Sequence, residues 1–236
     1  MAEIDFQAAV AQVGAFVAAL IEPGMRLGLG TGRTTSAFLE ALRPRLTSDF
    51  PITAVCTSTA TEEHARAMGI AVLASTAIPL DLDIDGADEI DPALDLIKGG
   101  GGAMVREKVV AERSRRFWVI ADAGKLVQRL GEQRPVPLEV LPFDWEGTAA
   151  RVAHLTGSTP VRRGHQEPFI TDNGNFVLDL PYRVRRLDPD ALSRALEAIP
   201  GIFGHGLFLK TATAALISDG RSVTVSGDLE RRRDPL

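Results

Sequence analysis

The sequence has little cysteine, little lysine and no long hydrophobic run. Cys56 is the only cysteine among 236 residues, so an intramolecular disulfide is excluded, and no cysteine cluster exists to hold zinc or iron. One isolated thiol is typical of the reducing cytoplasm, and we predict that location. The longest apolar stretch near the start, residues 8–21, contains Gln12 and follows acidic residues. This pattern predicts neither a secretion signal nor a membrane span.

Basic residues are outnumbered by acidic ones. The chain has 26 Lys and Arg residues against 31 Asp and Glu residues, a formal net charge of −5. Only four of the basic residues are lysines, and the one dense basic run is residues 231–233. We predict no nucleic-acid partner, because nucleic-acid binding needs a basic face. With 45% hydrophobic and 24% charged residues, the composition is that of a globular chain.

Strand and helix patterns alternate over the first part of the chain. Apolar residues recur every three or four positions from Phe6 to Leu20, which predicts a first helix ending before Pro23. The elements predicted after it are strands at residues 25–30, 52–55, 71–73, 80–85 and 117–121 and helices at residues 36–42, 61–68 and 103–114. This alternation predicts an α/β protein whose Rossmann-like parallel sheet has helices on both faces. We assign residues 1–130 and 210–236 to this domain.

A different order of elements follows. The predicted elements are strands at residues 136–141, 160–162, 175–180 and 202–209 and helices at residues 147–155 and 188–199. Their order, β-α-β-β-α-β, is that of a ferredoxin-like arrangement. We therefore predict a second, smaller α+β domain over residues 131–209.

A glycine-rich loop, residues 28–34, lies between a predicted strand and a predicted helix. Backbone N–H groups and the positive end of a helix favour a phosphate at such a position. Arg33 stands where a dinucleotide fingerprint needs glycine, and the loop lacks the Gly-Lys-Ser/Thr of an ATP site. A compact phosphate monoester is therefore the predicted ligand. A purely structural turn remains the alternative.

Five carboxylates fall within residues 81–89. A calcium loop begun at the first of them would need a glutamate at position 92, where the residue is Pro92. Asp85 lies at the carboxyl end of a predicted strand and Asp88 just beyond it, in the region where open parallel sheets bind ligands. We predict that these two aspartates belong to the site. A solvated acidic loop is the alternative.

Lys98 precedes four consecutive glycines, residues 99–102, and Glu107 follows in a predicted helix. Such a run in a compact domain indicates a close approach of backbone to ligand. Lys125 follows another predicted strand. Proton abstraction beside a carbonyl needs a carboxylate base, a cation for the developing oxyanion and a second acid or base, and Glu107, Lys98 and Asp85 fit these roles. The chain offers no metal-ligand set or redox residue, so we predict no cofactor.

Seven blocks of sequence resemble the type A ribose-5-phosphate isomerases. They are residues 28–34, 85–90, 97–101 with 106–108, 121–125, 137–142, 171–175 and 200–208. The resemblance implies interconversion of ribose 5-phosphate and ribulose 5-phosphate through an enediol(ate), in the non-oxidative pentose phosphate pathway, without metal or cofactor. It implies that Glu107 moves the proton between the two carbons and that Lys98 and Asp85 act on the oxygens and in ring opening.

The resemblance also implies a set of substrate contacts and an assembly. The contact residues are Thr31, Gly32, Arg33, Thr34, Gly86, Ala87, Asp88, Gly99, Gly100, Gly101 and Lys125. Family members are commonly homodimers or homotetramers, and the second domain is expected to mediate this contact and to serve as a lid.

Three positions depart from the family pattern. The family usually has serine where this chain has Arg33 and Gly124, and many members carry a phosphate-binding lysine where this chain has Val10. Our hypothesis is that Arg33 supplies the missing charge, because a guanidinium can grip a phosphate by two hydrogen bonds. The rival hypothesis is that Arg33 adapts the site to another sugar phosphate.

Two further classes of protein remain as alternatives. A non-catalytic sugar-phosphate sensor would need no base, and it would need a DNA-binding helix pair that the start of this sequence lacks. A coenzyme A transferase shares a similar architecture but uses a glutamate as the nucleophile on an acyl group. Exposure to acyl-CoA would leave a coenzyme A adduct on such a transferase, which mass spectrometry detects.

Overall fold

Fourteen strands and six α-helices occupy residues 5–74, 77–181 and 188–235, the part of the chain that the computed structural model describes. The strands are β1 (Arg26–Leu29), β2 (Thr53–Cys56), β3 (Ala71–Val72), β4 (Leu82–Asp85), β5 (Glu89–Ile90), β6 (Leu96–Ile97), β7 (Phe117–Asp122), β8 (Val136–Val140), β9 (Val161–Arg162), β10 (Phe176–Leu180), β11 (Ile202–His205), β12 (Leu207–Phe208), β13 (Ala214–Ser218) and β14 (Val223–Gly227). The helices are α1 (Phe6–Ala19), α2 (Arg33–Leu42), α3 (Thr59–Ala67), α4 (Met104–Glu112), α5 (Trp145–Thr156) and α6 (Pro189–Glu197). None of these helices is long and apolar enough to cross a membrane.

The first of two compact units contains a seven-stranded sheet. This unit comprises Met1–Ala87, Arg106–Lys125 and Thr211–Leu236. Its strands are ordered β14-β13-β7-β4-β1-β2-β3, and only the edge pair β13–β14 is antiparallel. All carboxyl ends of the parallel strands therefore meet at one edge of the sheet.

Helices cover both faces of this sheet. Ala54 of β2 packs in a large core cluster with Val13 of α1 and Phe38 of α2, whereas its neighbour Val55 packs with Val110 of α4. Because successive side chains of a strand point to opposite faces, α4 lies across the sheet from α1 and α2. The predicted Rossmann-like sheet with helices on both faces is confirmed.

The second unit comprises Asp88–Val105 and Leu126–Lys210. Its four-stranded sheet has the order β11-β8-β10-β9, with all pairs antiparallel. Leu138 and Leu178 of the sheet pack with Val152 of α5 and Leu192 of α6 in one core cluster. The order β-α-β-β-α-β and this strand arrangement confirm the ferredoxin-like fold. The helix predicted at residues 188–199 is α6, which the structure places at Pro189–Glu197. Residues 182–187 lie outside the described ranges.

The compact units differ from the sequence-derived ranges in residues 88–105, 126–130 and 210, which belong to the second unit. The segment at residues 88–105 contains the hairpin β5–β6, which the sequence analysis did not predict, and β6 pairs with β12. The strand predicted at residues 202–209 is two strands in two sheets, because the chain turns at Gly206. A Cβ at Gly206 would lie 2.1 Å from the carbonyl oxygen of Lys98, so only glycine permits this approach.

Two of the seven sequence blocks meet at Glu139 of β8. The carboxylate of Glu139 is fully buried, and its Oε1 accepts hydrogen bonds from Thr171 Oγ1 at 2.9 Å, Asn173 Nδ2 at 3.0 Å and Asn175 Nδ2 at 2.9 Å. These bonds tie the turn before β10 to the central strand of the second sheet. The blocks at residues 137–142 and 171–175 therefore contain hydrogen-bonding residues with a structural role.

Candidate active site

The glycine loop of the first unit is built around the carboxylate of Asp85. Asp85 ends β4 and is fully buried, and its Oδ1 accepts hydrogen bonds from the backbone N–H of Thr31 at 3.1 Å and of Gly86 at 2.7 Å. A Cβ at Gly30 would lie 1.8 Å from that same oxygen, so glycine is required there. The predicted neighbourhood of the glycine loop and Asp85 is present in the structure.

Hydroxyl groups hold the opposite side of this loop. Thr31 Oγ1 lies 2.8 Å from Thr57 Oγ1, and Thr61 Oγ1 donates to the carbonyl of Gly30 at 2.9 Å. Ser58 caps α3 by accepting a hydrogen bond from the N–H of Thr61 at 3.2 Å. These residues follow β2, the strand next to β1, so the parallel order of the sheet delivers them to the loop.

Arg33 is the first residue of α2, whereas the sequence analysis began this helix at residue 36. Its guanidinium carbon lies 4.0 Å from the centroid of the Phe6 ring. A cavity of about 620 Å³ opens beside it, and its lining includes Val10, Thr31 and Gly32. Thr34, the next residue of α2, is half-buried. The arginine and the valine that depart from the family pattern thus line one cavity.

Glu40 places a negative charge in the lining of the same cavity. Hydrogen bonds from Arg43 and His64 lower the pKa of the Glu40 carboxyl to about 2, and Arg43 is the larger cause. The bonds are 2.9 Å from each of two Arg43 nitrogens and 2.8 Å between His64 Nε2 and Glu40 Oε1. Glu40 is therefore ionised across the physiological range, with its charge directed to these partners.

Glu107 lies in the first turn of α4 with 4% of its surface exposed. The N-terminal end of a helix favours a carboxylate. Gly86 and Ala87 follow Asp85 and are half-buried, and Lys125 ends a short 3-10 turn after β7 and is also half-buried.

The five carboxylates at residues 81–89 have separate surroundings. Asp81 pairs with Arg26, and buried Asp83 faces Gly28, where a Cβ would lie 2.6 Å from its Oδ1. Asp85 holds the glycine loop, as described above. In the second unit, Glu89 accepts hydrogen bonds from backbone N–H groups of the loop at residues 131–134. In the described residues no group of three or more histidine, cysteine or acidic side chains is arranged to hold a metal ion.

The glycine run of the second unit is fixed by Asp88. Asp88 Oδ2 accepts a hydrogen bond from the N–H of Gly100 at 2.7 Å, and the N–H of Gly102 donates to the carbonyl of Gly99 at 2.9 Å. Gly100 and Gly101 are exposed. The run is therefore an ordered loop whose two middle glycines are accessible, whereas Gly99 and Gly102 are buried.

Lys98 is almost completely buried, with 2% of its surface exposed. Its backbone N–H donates to the carbonyl of Gly206 at 2.9 Å, and its Nζ lies 5.5 Å from the centroid of the Phe208 ring. Phe208 belongs to β12, which pairs with β6 immediately before Lys98. The hairpin that the sequence analysis missed therefore positions this lysine.

Arg163 is a residue of the second unit that sequence reasoning did not identify. Its Nη1 donates to the carbonyls of Gly99 and Gly100, each at 3.0 Å. Its Nε and Nη2 donate to the two carboxylate oxygens of Asp179 at 3.0 and 2.5 Å. Arg163 thus links the glycine run to β10. It lies more than 60 residues from the glycines along the chain, and no motif marks it.

If Lys98 and the glycine run act in catalysis as the sequence analysis predicts, replacing Arg163 by glutamine should lower kcat about 10- to 100-fold with a smaller change in KM, because misplacing catalytic groups by about 1 Å has such an effect. The substitution removes the bonds that hold the carbonyls beside Lys98. Arg162→Gln is the matched control, since Arg162 is the preceding residue and its guanidinium lies over Trp145 and Phe176 instead. Unchanged kcat in folded Arg163→Gln would remove Arg163 as a positioning residue.

Cys56 does not offer a nucleophile at neutral pH. Burial, and secondarily the negative charge of Glu62, raise the pKa of the Cys56 thiol to about 12. The thiolate is the reactive form of cysteine, so covalent catalysis by Cys56 is disfavoured.

The fold is that of an α/β protein with a Rossmann-like unit and a ferredoxin-like unit. Comparison with known proteins identifies its family. The family model of ribose 5-phosphate isomerase A (phosphoriboisomerase A) matches residues 53–221. Ribose-5-phosphate isomerase A of Roseiflexus castenholzii is 46% identical over 218 residues, which cover 90% of this chain and 93% of that protein. The chain belongs to the ribose 5-phosphate isomerase A family.

Solved structures of the family share the fold over nearly the whole chain. Ribose 5-phosphate isomerase A from Methanocaldococcus jannaschii has a TM-score of 0.87 at 31% identity, covering 93% of this chain and 98% of that one. A D-ribose-5-phosphate isomerase in complex with phospho-erythronic acid also has a TM-score of 0.87, at 33% identity, covering 95% and 100%.

Proposed function

We propose that the protein interconverts ribose 5-phosphate and ribulose 5-phosphate through an enediol(ate). The observation that carries the proposal is the match to the ribose 5-phosphate isomerase A family model over residues 53–221. The three predicted acid–base residues are buried: Asp85 is 0%, Lys98 2% and Glu107 4% exposed. Membership of the isomerase family and the related structure with bound phospho-erythronic acid support the same substrate class.

The proposed reaction moves one proton between neighbouring carbons. Glu107 removes the proton from C2 of the open-chain aldose, the electron pair forms the C1–C2 double bond, and the carbonyl oxygen at C1 becomes the enediol(ate) oxygen. Lys98 stabilises the negative charge that develops there. Glu107 then returns the proton to C1, and the proton of the C2 hydroxyl moves through Asp85 to the oxygen at C1, so that C2 becomes the ketone and C1 carries a hydroxyl. Asp85 transfers the hydroxyl proton when the sugar ring opens.

The glycine loop and the start of α2 are the proposed phosphate site. Gly32, the residue before α2, makes no side-chain capping bond, so the first N–H groups of the helix are available to an anion. Arg33 adds a guanidinium to this end of the helix, and Val10, which replaces the family's lysine, lines the same cavity. We infer that Arg33 supplies the charge that the lysine supplies in other members.

Replacing Arg33 by serine, the usual family residue, should raise KM for ribose 5-phosphate about 10-fold, because a hydrogen bond to a charged group contributes about 1.5–3 kcal/mol. We expect kcat to change little, since the phosphate is remote from C1 and C2. Arg33→Lys is the matched variant. It keeps the positive charge but loses the planar guanidinium that can make two parallel hydrogen bonds, so it should give an intermediate KM. Improved turnover of ribose 5-phosphate by Arg33→Ser would reject the proposed role of Arg33 in phosphate binding. It would favour the rival hypothesis that Arg33 adapts the site to another sugar phosphate.

The choice of substrate is tested by comparing kcat/KM for phosphorylated aldoses. We expect ribose 5-phosphate to give the highest value among ribose 5-phosphate, arabinose 5-phosphate and glucose 6-phosphate. Phospho-erythronic acid should compete with the substrate, as expected if this chain binds that compound like its relative. A higher kcat/KM for another aldose phosphate would replace the proposed substrate and retain the reaction class.

We further propose that the protein is a homodimer or homotetramer assembled through the second unit. Phe143 and Phe203 of that unit are 81% and 58% exposed, and aromatic side chains are enriched at protein–protein interfaces. Light scattering of the purified protein checks this, and a monomer at micromolar concentration would contradict it. We likewise propose a cytoplasmic location and a place in the pentose phosphate pathway, which is consistent with the proposed substrate. The lid role of residues 131–209 stays a prediction.

A further inference from the structure

A second charged cavity in the first unit lies at the opposite edge of the sheet from the glycine loop. Its volume is about 320 Å³, and its lining is Arg26, Asp81, Arg115, Arg116 and Arg232. Arg26 begins β1, Asp81 directly precedes β4, and the two neighbouring arginines directly precede β7. These strands are parallel neighbours, so the cavity lies at their amino ends. The predicted catalytic residue of this sheet, Asp85, lies at a carboxyl end.

The end of the chain completes this cavity. The backbone N–H of Arg233 donates to the carbonyl of Arg115 at 2.7 Å. The guanidinium of Arg233 donates to the carbonyls of Ala111 and Ser114 at the end of α4. These bonds anchor the terminal segment beside the sheet edge and bring Arg232 into the cavity lining. The basic run at residues 231–233, which the proposed isomerase reaction does not use, thereby has a defined location.

The lining carries a large excess of positive charge. Four arginines face one aspartate, Asp81, which already accepts a hydrogen bond from the N–H of Arg26 at 2.8 Å and lies 3.5 Å from its guanidinium. Glu230 lies 4.0 Å from Arg116, but its side chain is 84% exposed, so it offsets little charge. Arg116 itself is held over the Trp118 ring at 5.4 Å. Guanidiniums crowded in this way repel one another unless an anion lies among them.

We propose that this arginine cavity binds a compact phosphate anion with two or more negative charges, such as inorganic diphosphate. Guanidinium forks match phosphate oxygens with two parallel hydrogen bonds each. A volume of 320 Å³ equals about ten water molecules at roughly 30 Å³ each, which is room for a diphosphate with some of its hydration. Because Arg232 comes from the terminal segment, the bound anion also fastens that segment to the sheet.

The binding test compares three proteins by titration calorimetry with sodium diphosphate at low ionic strength. The wild type is measured beside Arg115→Gln/Arg232→Gln, which removes two guanidiniums and keeps the backbone bond to Arg115. Arg221→Gln is the matched control, because Arg221 is exposed in the turn between β13 and β14. We expect equal affinity in the wild type and the control and about 10-fold weaker binding, or loss of one binding event, in the double variant.

Three results would overturn the proposal. The first is that diphosphate does not bind to the wild type. The second is equal binding to all three proteins, which would place the anion elsewhere. The third is that binding to the control is weakened as much as binding to the double variant, which would indicate an effect of general surface charge. A second measurement needs only the wild type: diphosphate should slow tryptic cleavage after Arg231 and Arg232, relative to sodium chloride at the same ionic strength. Unchanged cleavage would reject the site even if the double variant fails to fold. Neither test measures turnover, and diphosphate bound at the glycine loop would be unaffected in the double variant, so failure of this proposal is distinguishable from failure of the proposed isomerase function.

Discussion

Glu107→Gln should lose almost all isomerase turnover while it keeps its affinity for the substrate class. The amide preserves the size of the side chain but cannot accept the proton from C2, and general acid–base catalysis contributes about 100- to 10,000-fold in rate. We expect kcat of the variant to be lower than that of the wild type by a factor within that range. Binding is compared through the dissociation constant of phospho-erythronic acid, measured by calorimetry in the wild type and the variant. That compound reports on the site without turnover.

Glu112→Gln controls for the effect of the same substitution on the same helix, because Glu112 is exposed at the end of α4. We expect wild-type kcat from this variant. If Glu107→Gln lost its affinity for phospho-erythronic acid together with its activity, Glu107 would support the structure of the site. Retained turnover in a folded Glu107→Gln would assign the proton transfer to another group.

Lys98→Ala should lower kcat through loss of oxyanion stabilisation of about 3 kcal/mol, which corresponds to roughly 100-fold in rate. Lys98 is 2% exposed, so alanine also removes buried contacts beside Phe208. Lys98→Met separates the two effects, because methionine retains much of the side-chain stem without the charge. We expect both variants to lose turnover by similar factors and Lys98→Met to be closer to the wild type in Tm.

Lys210→Met is the control for replacing a lysine in the same unit, because the Lys210 side chain is 74% exposed and pairs with Asp190. Its kcat should equal that of the wild type. If Lys98→Met kept wild-type kcat, Lys98 would have no part in stabilising the oxyanion, and its burial would need a structural explanation.

Local patterns were sufficient to predict the glycine loop and the position of Asp85 at the end of a strand. The alternation of strands and helices placed Asp85 at a strand's carboxyl end, and the glycines of residues 28–32 predicted the loop that this carboxylate holds. The parallel order of β1 and β4 then brings Asp85 and Thr31 together although they are 54 residues apart. The alternation predicts that these carboxyl ends share one edge of the sheet, whereas the adjacency of β1 and β4 is visible only in the structure.

Residues that depend on pairing over long distances were not predictable in the same way. The two-residue strands β5, β6 and β12 are too short to show a period, so the surroundings of Lys98 could not be inferred. Arg163 reaches Gly99 and Gly100 through a flexible side chain, a contact that no spacing rule encodes. Neighbours in sequence were also misleading: Asp81 and Asp85 belong to one acidic cluster but lie at opposite ends of β4.

The most direct test of the central claim is the formation of ribulose 5-phosphate from ribose 5-phosphate by the purified protein in the presence of EDTA, beside Glu107→Gln. We predict rapid conversion by the wild type and almost none by the variant, because the proposed mechanism assigns the proton transfer to Glu107 and uses no metal. The absence of conversion by the folded wild type, or equal conversion by both proteins, would contradict the proposed reaction and its assigned base.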